Sequence, residues 1–351
     1  MSPFLSVTIL LLVTGTLFSL PLLPAMWELQ RKSDALPLNV IQQHAGEIRY
    51  FADRFRAYLE PLEPILRQAS ITGQKASGVM ADGTEYLVLG SGAEALALPL
   101  GEKDKLCPVL LASATDLTVS ANSTFSRDVY SRGHFVGDRN NQYRALLVER
   151  GLYLGAGSSV MRWVHACGEL QVESGCKLFG RASSDARIRL SSHCTFLRLN
   201  APRIEFGHAV ETSRSLPDAP PLFATPKRLL YDGDFEIKSG EIFHGDLVVR
   251  GRLRIGSGAQ VFGSVKSGKD LIVESGVVID GGLISAKKLL IGPQCLVGGP
   301  IISERELLMN AGTQCGTPVA PTTVSATRIS IAPTVVVFGT VWAREQGEVL
   351  T

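Results

Sequence analysis

The sequence predicts an all-β protein, a parallel β-helix of about 18 residues per turn, preceded by one apolar helix and one short amphipathic helix. Three observations carry this expectation. An apolar motif recurs every 18 residues, its apolar positions alternate with period two, and glycine is abundant, 35 of 351 residues, without a collagen triplet. Period-two alternation marks a strand with one buried side. A short strand and a corner bury nothing alone, but coiling the chain so that each turn stacks on the last buries a continuous column. Glycine at the corners supplies the positive φ that the backbone needs there. With 45% hydrophobic residues the chain is not mainly disordered. A net charge of +2 gives no broad footprint for nucleic acid. Six Cys are too few for a disulfide scaffold.

The first element is the N-terminal apolar run. No side chain is charged before Glu28, and the 23 residues Phe4 to Met26 would cross a hydrocarbon core of about 30 Å. Phe4, Leu10, Leu11, Leu12 and Phe18 are its lipid-facing candidates, and Trp27 stands where an interfacial aromatic belongs. A cleaved signal peptide would want a basic start and a small-residue cleavage site, and neither is present. Arg31 and Lys32 follow the run, so the positive-inside rule puts the bulk of the chain in the cytoplasm.

The second element is a helix. Ile41, Ala45, Ile48, Ala52, Phe55 and Leu59 recur at helical spacing, with Phe51 and Tyr58 alongside, and Pro61 and Pro64 are expected to end it. Its apolar face would pack on the rest of the protein or a sister chain, or else lie on the membrane surface. The strand-like run Tyr86-Leu87-Val88-Leu89 has no role assigned by its sequence.

The repeat itself is clearest from Phe235. Phe235 and Ile237, then Phe243, Gly245 and Leu247, return 18 residues later as Leu253, Ile255, Val261, Gly263 and Val265. The pattern continues to Met309, slips through Pro318 to Thr323, and resumes at Ile329. A glycine column runs through Gly240, Gly258, Gly276 and Gly312, broken only by Gln294. The same period links Leu152 and Leu154 to Leu170 and Val172 and to Ile188 and Leu190. About nine or ten turns are expected, with the Pro-rich stretch 209–227 read as a loop within one continuous coil.

Chemical signals are weak by comparison. Gly263 to Asp270 nearly spells a P-loop, but Asp270 stands where Ser or Thr must hold Mg²⁺, so no nucleotide is expected. Cys176 and Cys194, one period apart, read as stacked inward thiols. His165 and Cys167 are close in sequence, but a metal site needs three or four converging groups, so no metal or other cofactor is expected. No His is paired with Ser, Cys or Asp in a recognisable nucleophilic motif. A hexapeptide acyltransferase would want aliphatics where Ser267, Ser285 and Ser303 stand, and the carboxylates are scattered, so no catalytic residue is named.

The repeats from Phe235 to Ala343, typified by Asp270 to Ala286 with its paired aliphatics, glycine turn, aliphatic, glycine and aliphatic, resemble the bactofilins, bacterial polymer-forming cytoskeletal proteins. The resemblance implies a right-handed β-helix that joins end to end into nucleotide-free filaments and localises machinery for cell envelope or surface polysaccharide. Independently, a β-helix ends in unpaired strand edges that template another chain. The expected organisation is an anchor and linker over 1–37, a juxtamembrane region over 38–110, the β-helix over 111–343 and a tail over 344–351. The expected function is a single-pass, inner-membrane scaffold facing the cytoplasm, not an enzyme. Its partners would be itself and an envelope-biogenesis protein, without nucleic acid. Val335, Val337, Phe338, Val341 and Trp342, in the last rung, are the candidate polymer interface. A β-helix enzyme acting on envelope carbohydrate or acyl groups, or a monomeric adaptor, are the alternatives.

Overall fold

The computed structural model describes residues 3–20, 49–90, 105–207, 214–216 and 228–351. The chain divides into two units, Met1–His44 and Ala45–Thr351. In the first, α1 runs Pro3–Ser19, 17 residues, about 25 Å at 1.5 Å per residue. Leu10, Leu11, Leu12 and Phe18 on it are exposed. Among the described residues no helix is long and apolar enough to cross a membrane. Pro21 to Trp27, the rest of the expected span, lie outside the described residues.

In the second unit the repeat closes into a three-faced parallel β-solenoid of about 13 turns, more than the nine or ten counted from the repeats. The first rung lies before residue 111, since Glu85–Leu89 pairs in parallel with Leu110–Ser113, which pairs with Val129–Ser131. The run Tyr86 to Leu89 is therefore the first strand of the coil. Ala76–Val79 folds back antiparallel on its outer edge. Inward side chains form one buried cluster that includes Leu87, Leu154, Leu190, Val341, Ile291 and Ile255.

The corners explain the second glycine column. Gly240, Gly258, Gly276 and Gly312 all have φ near +70°, and Gln294 takes φ 61° at the same place. Asn122, Asn140, His193 and Thr334 also take positive φ. Ser267, Ser285 and Ser303 are fully buried, each hydroxyl donating to corner carbonyls such as Gly251 O, Lys269 O and Lys287 O. An aliphatic there would leave those carbonyls unpaired in the interior. The P-loop-like stretch is one such corner with the strand Val265–Ser267.

The repeats do not form one continuous coil: the direction of stacking reverses between Phe206 and Leu229, and the Pro-rich stretch lies outside the described residues except 214–216. The N-terminal solenoid ends at Thr195–Phe206. The next described strand, Leu229–Tyr231, pairs only with Leu247–Val249 and lies at the far end of a second solenoid. That solenoid coils back until its last strand, Val336–Val349, meets Thr195–Phe206 antiparallel, with Leu199 opposite Val341 and Asn200 opposite Thr340. Arg214 from the connecting stretch donates to Gln294 O, Cys295 O and Gly312 O on the second solenoid.

Two boundaries are corrected. Residues 344–349 are not a tail, because they continue the last strand, paired to Thr322–Ile331 on one side and Thr195–Phe206 on the other. Pro61 and Pro64 do not end the helical region. They open a 3₁₀ turn, Glu60–Leu62, and a helix α3, Glu63–Thr72, that follow α2, Tyr50–Leu59; proline lacks only an N–H that is unpaired at a first turn anyway. Gly73, left-handed at φ 73°, ends α3. The apolar face of these helices packs on the solenoid: Ala52, Phe55, Leu59, Leu62, Leu66 and Ala69 cover Val88, Leu110, Tyr130, Leu147 and Trp163. That burial corrects the alternative in which this face lies on a membrane. Ile41, Ala45 and Ile48 lie outside the described residues.

Candidate functional site

The candidate polymer interface is the last rung, Val335 to Trp342. The structure places Val335, Val337, Phe338 and Val341 in the interior and leaves only Trp342 exposed, at 44%. The strand edge expected to be free is occupied from within the chain by Thr195–Phe206. Asn200 Nδ2 donates to Thr340 Oγ1 at 2.7 Å, and the guanidiniums of Arg198 and Arg203 lie over the rings of Trp342 and Phe338. The expected polymer edge is a finished intramolecular joint.

The open end lies elsewhere. Leu229–Tyr231, Phe235–Ile237 and Ile242–His244 each pair on one side only. Leu229, Leu230, Tyr231 and Ile242 are 40–53% exposed. Among the described residues nothing pairs with their outer edges.

The chemistry gathers on the N-terminal solenoid. The 18-residue period stacks Glu149, Cys167 and Asp185 at one corner on successive rungs, roughly 4.8 Å apart. His165 and Ser183 stand beside them on paired strands. Helix α2 closes over this corner: Arg56 grips Glu149 through two nitrogens at 2.8 and 3.1 Å and donates to Cys167 Sγ at 2.9 Å. Arg49 reaches Asp185 Oδ1 at 2.8 Å. His165 is 2% exposed. Its Nδ1 lies 2.9 Å from Ser183 Oγ, and its Nε2 lies 3.9 Å from Cys167 Sγ and 3.8 Å from Asp185 Oδ2.

The electrostatics follow from burial. Burial depresses His165 against the pull of Asp185, and Arg56 and Arg49 add to the depression, so the imidazole is neutral. Burial and the hydrogen bond to Glu149 push the Cys167 thiol up to about 12. Burial alone would raise Glu149, but the hydrogen bonds from Arg56 and Cys167 outweigh it and hold the carboxylate below its ordinary value. Cys167 is thus a protonated donor to Glu149, at 3.1 Å, and not an activated nucleophile. A cleft of about 660 Å³ opens beside the cluster, lined by Arg49, Asp53, Ser183, Asp185, Asn200 and Pro202.

The sequence carried a signal for this cluster. The spacing 149, 167, 185 repeats the period, and corner residues one period apart must stack. What it could not show was α2 arriving with Arg49 and Arg56. Cys176 and Cys194 are both buried, and each thiol donates to a backbone carbonyl. All six Cys are free.

Comparison with known proteins finds no matching family model, no matching curated protein and no matching solved structure.

Proposed function

We propose that this chain is a β-solenoid scaffold, tethered to a membrane by its N-terminal apolar segment, that self-associates without nucleotide through the open end of its second solenoid. The observation that carries the reading is the trio of singly paired strands at Leu229 to His244, with exposed Leu229, Leu230, Tyr231 and Ile242. Unpaired strand edges with apolar side chains template another chain. The occupant is a second copy, meeting like end to like end and antiparallel. The same contact already joins the C-terminal rungs of the two solenoids inside one chain. Such a contact is isologous and closes at two copies. At the other end Ala76–Val79 already occupies one of the three edges. The bactofilin-like repeats, the uncharged run up to Trp27 and Arg31 with Lys32 support a scaffold at the inner membrane, facing the cytoplasm and positioning envelope-biogenesis partners.

The test is multi-angle light scattering on the full chain in mild detergent, with and without Leu230→Glu and Ile242→Glu together. The expected result is a dimer that the double variant reduces to a monomer of unchanged circular dichroism. A wild-type monomer at tens of micromolar, or a dimer indifferent to both charges, overturns the reading. A second reading, an enzyme acting on envelope carbohydrate or acyl groups, is favoured by one observation, the cleft that borders Ser183 and Asp185. Turnover of such substrates that Asp185→Asn abolishes would carry it.

A further inference from the structure

At the corner of the N-terminal solenoid, His165, Cys167 and Asp185 point one ligand atom each into a shared space, all within 4.8 Å of one another. The proton inventory there is informative. His165 Nδ1 and Ser183 Oγ share a hydrogen bond at 2.9 Å, and a Ser183 proton directed to Val164 O, 3.4 Å away, makes Nδ1–H the donor in it. With Nδ1 engaged by Ser183, Nε2 faces Cys167 and Asp185. The Cys167 proton is directed away, to Glu149. Asp185 spends Oδ1 on Arg49 and leaves Oδ2 facing Nε2. Three ligand atoms therefore converge.

We propose that this corner binds one zinc ion through His165 Nε2, Cys167 Sγ and Asp185 Oδ2. The donor set, one nitrogen, one sulfur and one carboxylate oxygen, suits a borderline-soft divalent ion and not Mg²⁺ or Ca²⁺. The Nε2–Sγ and Nε2–Oδ2 separations of 3.9 and 3.8 Å are a few tenths of an ångström wider than tetrahedral Zn–N, Zn–S and Zn–O bonds of roughly 2.0–2.3 Å require, and all three ligand atoms lie within 4.8 Å of one another, so binding draws the three side chains together. Each ligand already has an outer partner that orients it: Ser183 for the imidazole, Arg49 for the carboxylate, Arg56 for the sulfur. Three protein ligands would leave a fourth position for an exchangeable one, and Asp185 lines the adjoining cleft. Binding is a ligand exchange without redox change. Zinc gains the thiolate, and the thiol proton passes to solvent. Arg49 and Arg56 belong to α2 and its approach, so the metal would also pin that helix to the coil.

The experiment uses the full chain, stripped with chelator and then given Zn²⁺ or Co²⁺ alone. Cys167 is partly exposed and the other five Cys are buried, so alkylation of the native protein reads Cys167. One equivalent of Zn²⁺ is expected to slow that alkylation at least about tenfold. Co²⁺ is expected to give tetrahedral d–d bands with a thiolate charge-transfer band. Cys167→Ser removes the charge-transfer band, and Ser183→Ala weakens binding roughly 10- to 100-fold, as loss of an outer partner does. If the variants melt early, the wild-type cobalt spectrum and alkylation rate still decide. Alkylation unaffected by Zn²⁺ at about tenfold excess, or a cobalt spectrum lacking the thiolate band, overturns the site.

Discussion

The two solenoids share a period and a core but differ in what they carry. The second is regular: from Leu229 to Ser303 every strand returns after 18 residues in register. Its exposed charges pair across rungs, Asp232 with Arg250, Asp234 with Arg252 and Lys288 with Glu306, contacts that solvate a face and add little stability. The first is irregular. Its strand pairings slip at Val160/Trp163 and Leu178/Arg181. It bears two helices, a buried histidine and the corner cluster. Regularity serves stacking, whereas departures from it make room for side chains that do something else.

That contrast can be broken most severely at the joint. Val341→Asp puts an unpaired carboxylate in a fully buried position between the solenoids, among the largest single-site losses, on the order of 4 kcal/mol. Calorimetry is expected to show one transition splitting into two as the halves lose their coupling. A single transition at the wild-type temperature would show that the joint is not a shared cooperative element. Next in size, Phe55→Ala empties the contact of α2 with Trp163 and costs about 3–5 kcal/mol. Hydrogen exchange is expected to quicken in α2 and α3 while amides from Leu247 to Ser303 stay protected. Equal loosening of both solenoids would contradict independent dressing of the first.

Acid gives a smaller, local effect. Burial works to raise Glu63, but the hydrogen bonds from Arg132 and Arg67 outweigh it, so its carboxyl sits below the ordinary value in the folded state. A depressed carboxyl contributes stability above its unfolded pKa and loses it as pH falls through the folded value. Exchange in α3 is therefore expected to rise below about pH 4, before the second solenoid responds, and Glu63→Gln is expected to remove that pH dependence. The smallest effect lies within one corner column. Gly276→Ala forces a side chain to φ 69° and is expected to cost about 1 kcal/mol, whereas Gln294→Gly relieves φ 61° and gains a similar amount. Denaturant midpoints measure both, and equal signs would mean that neighbouring side chains, not backbone strain, set the corner.

The repeat was legible because inward alternation and corner glycines follow directly from stacking. The face of the amphipathic helix was legible at Ala52, Phe55 and Leu59. The reversal after Phe206 was not, because period and inward pattern are the same whichever way rungs accumulate. Val335 to Trp342 therefore read as an apolar end, when their apolarity comes from being sandwiched between two coils. The cluster at His165 was half legible: its spacing lay in the sequence, but its partners Arg49 and Arg56 come from a helix over 90 residues away in sequence from Glu149.

The reversal also sets a schedule for synthesis. The first solenoid can coil rung by rung as it leaves the ribosome, but the strand that seals its exposed rim, Val336–Val349, is made only after the whole second coil. At about 5–20 residues per second that rim waits on the order of ten seconds. During this interval a nascent neighbour could add to Thr195–Phe206 in place of the chain's own strand. Crowded polysomes are therefore where this fold is most exposed to strand exchange between copies.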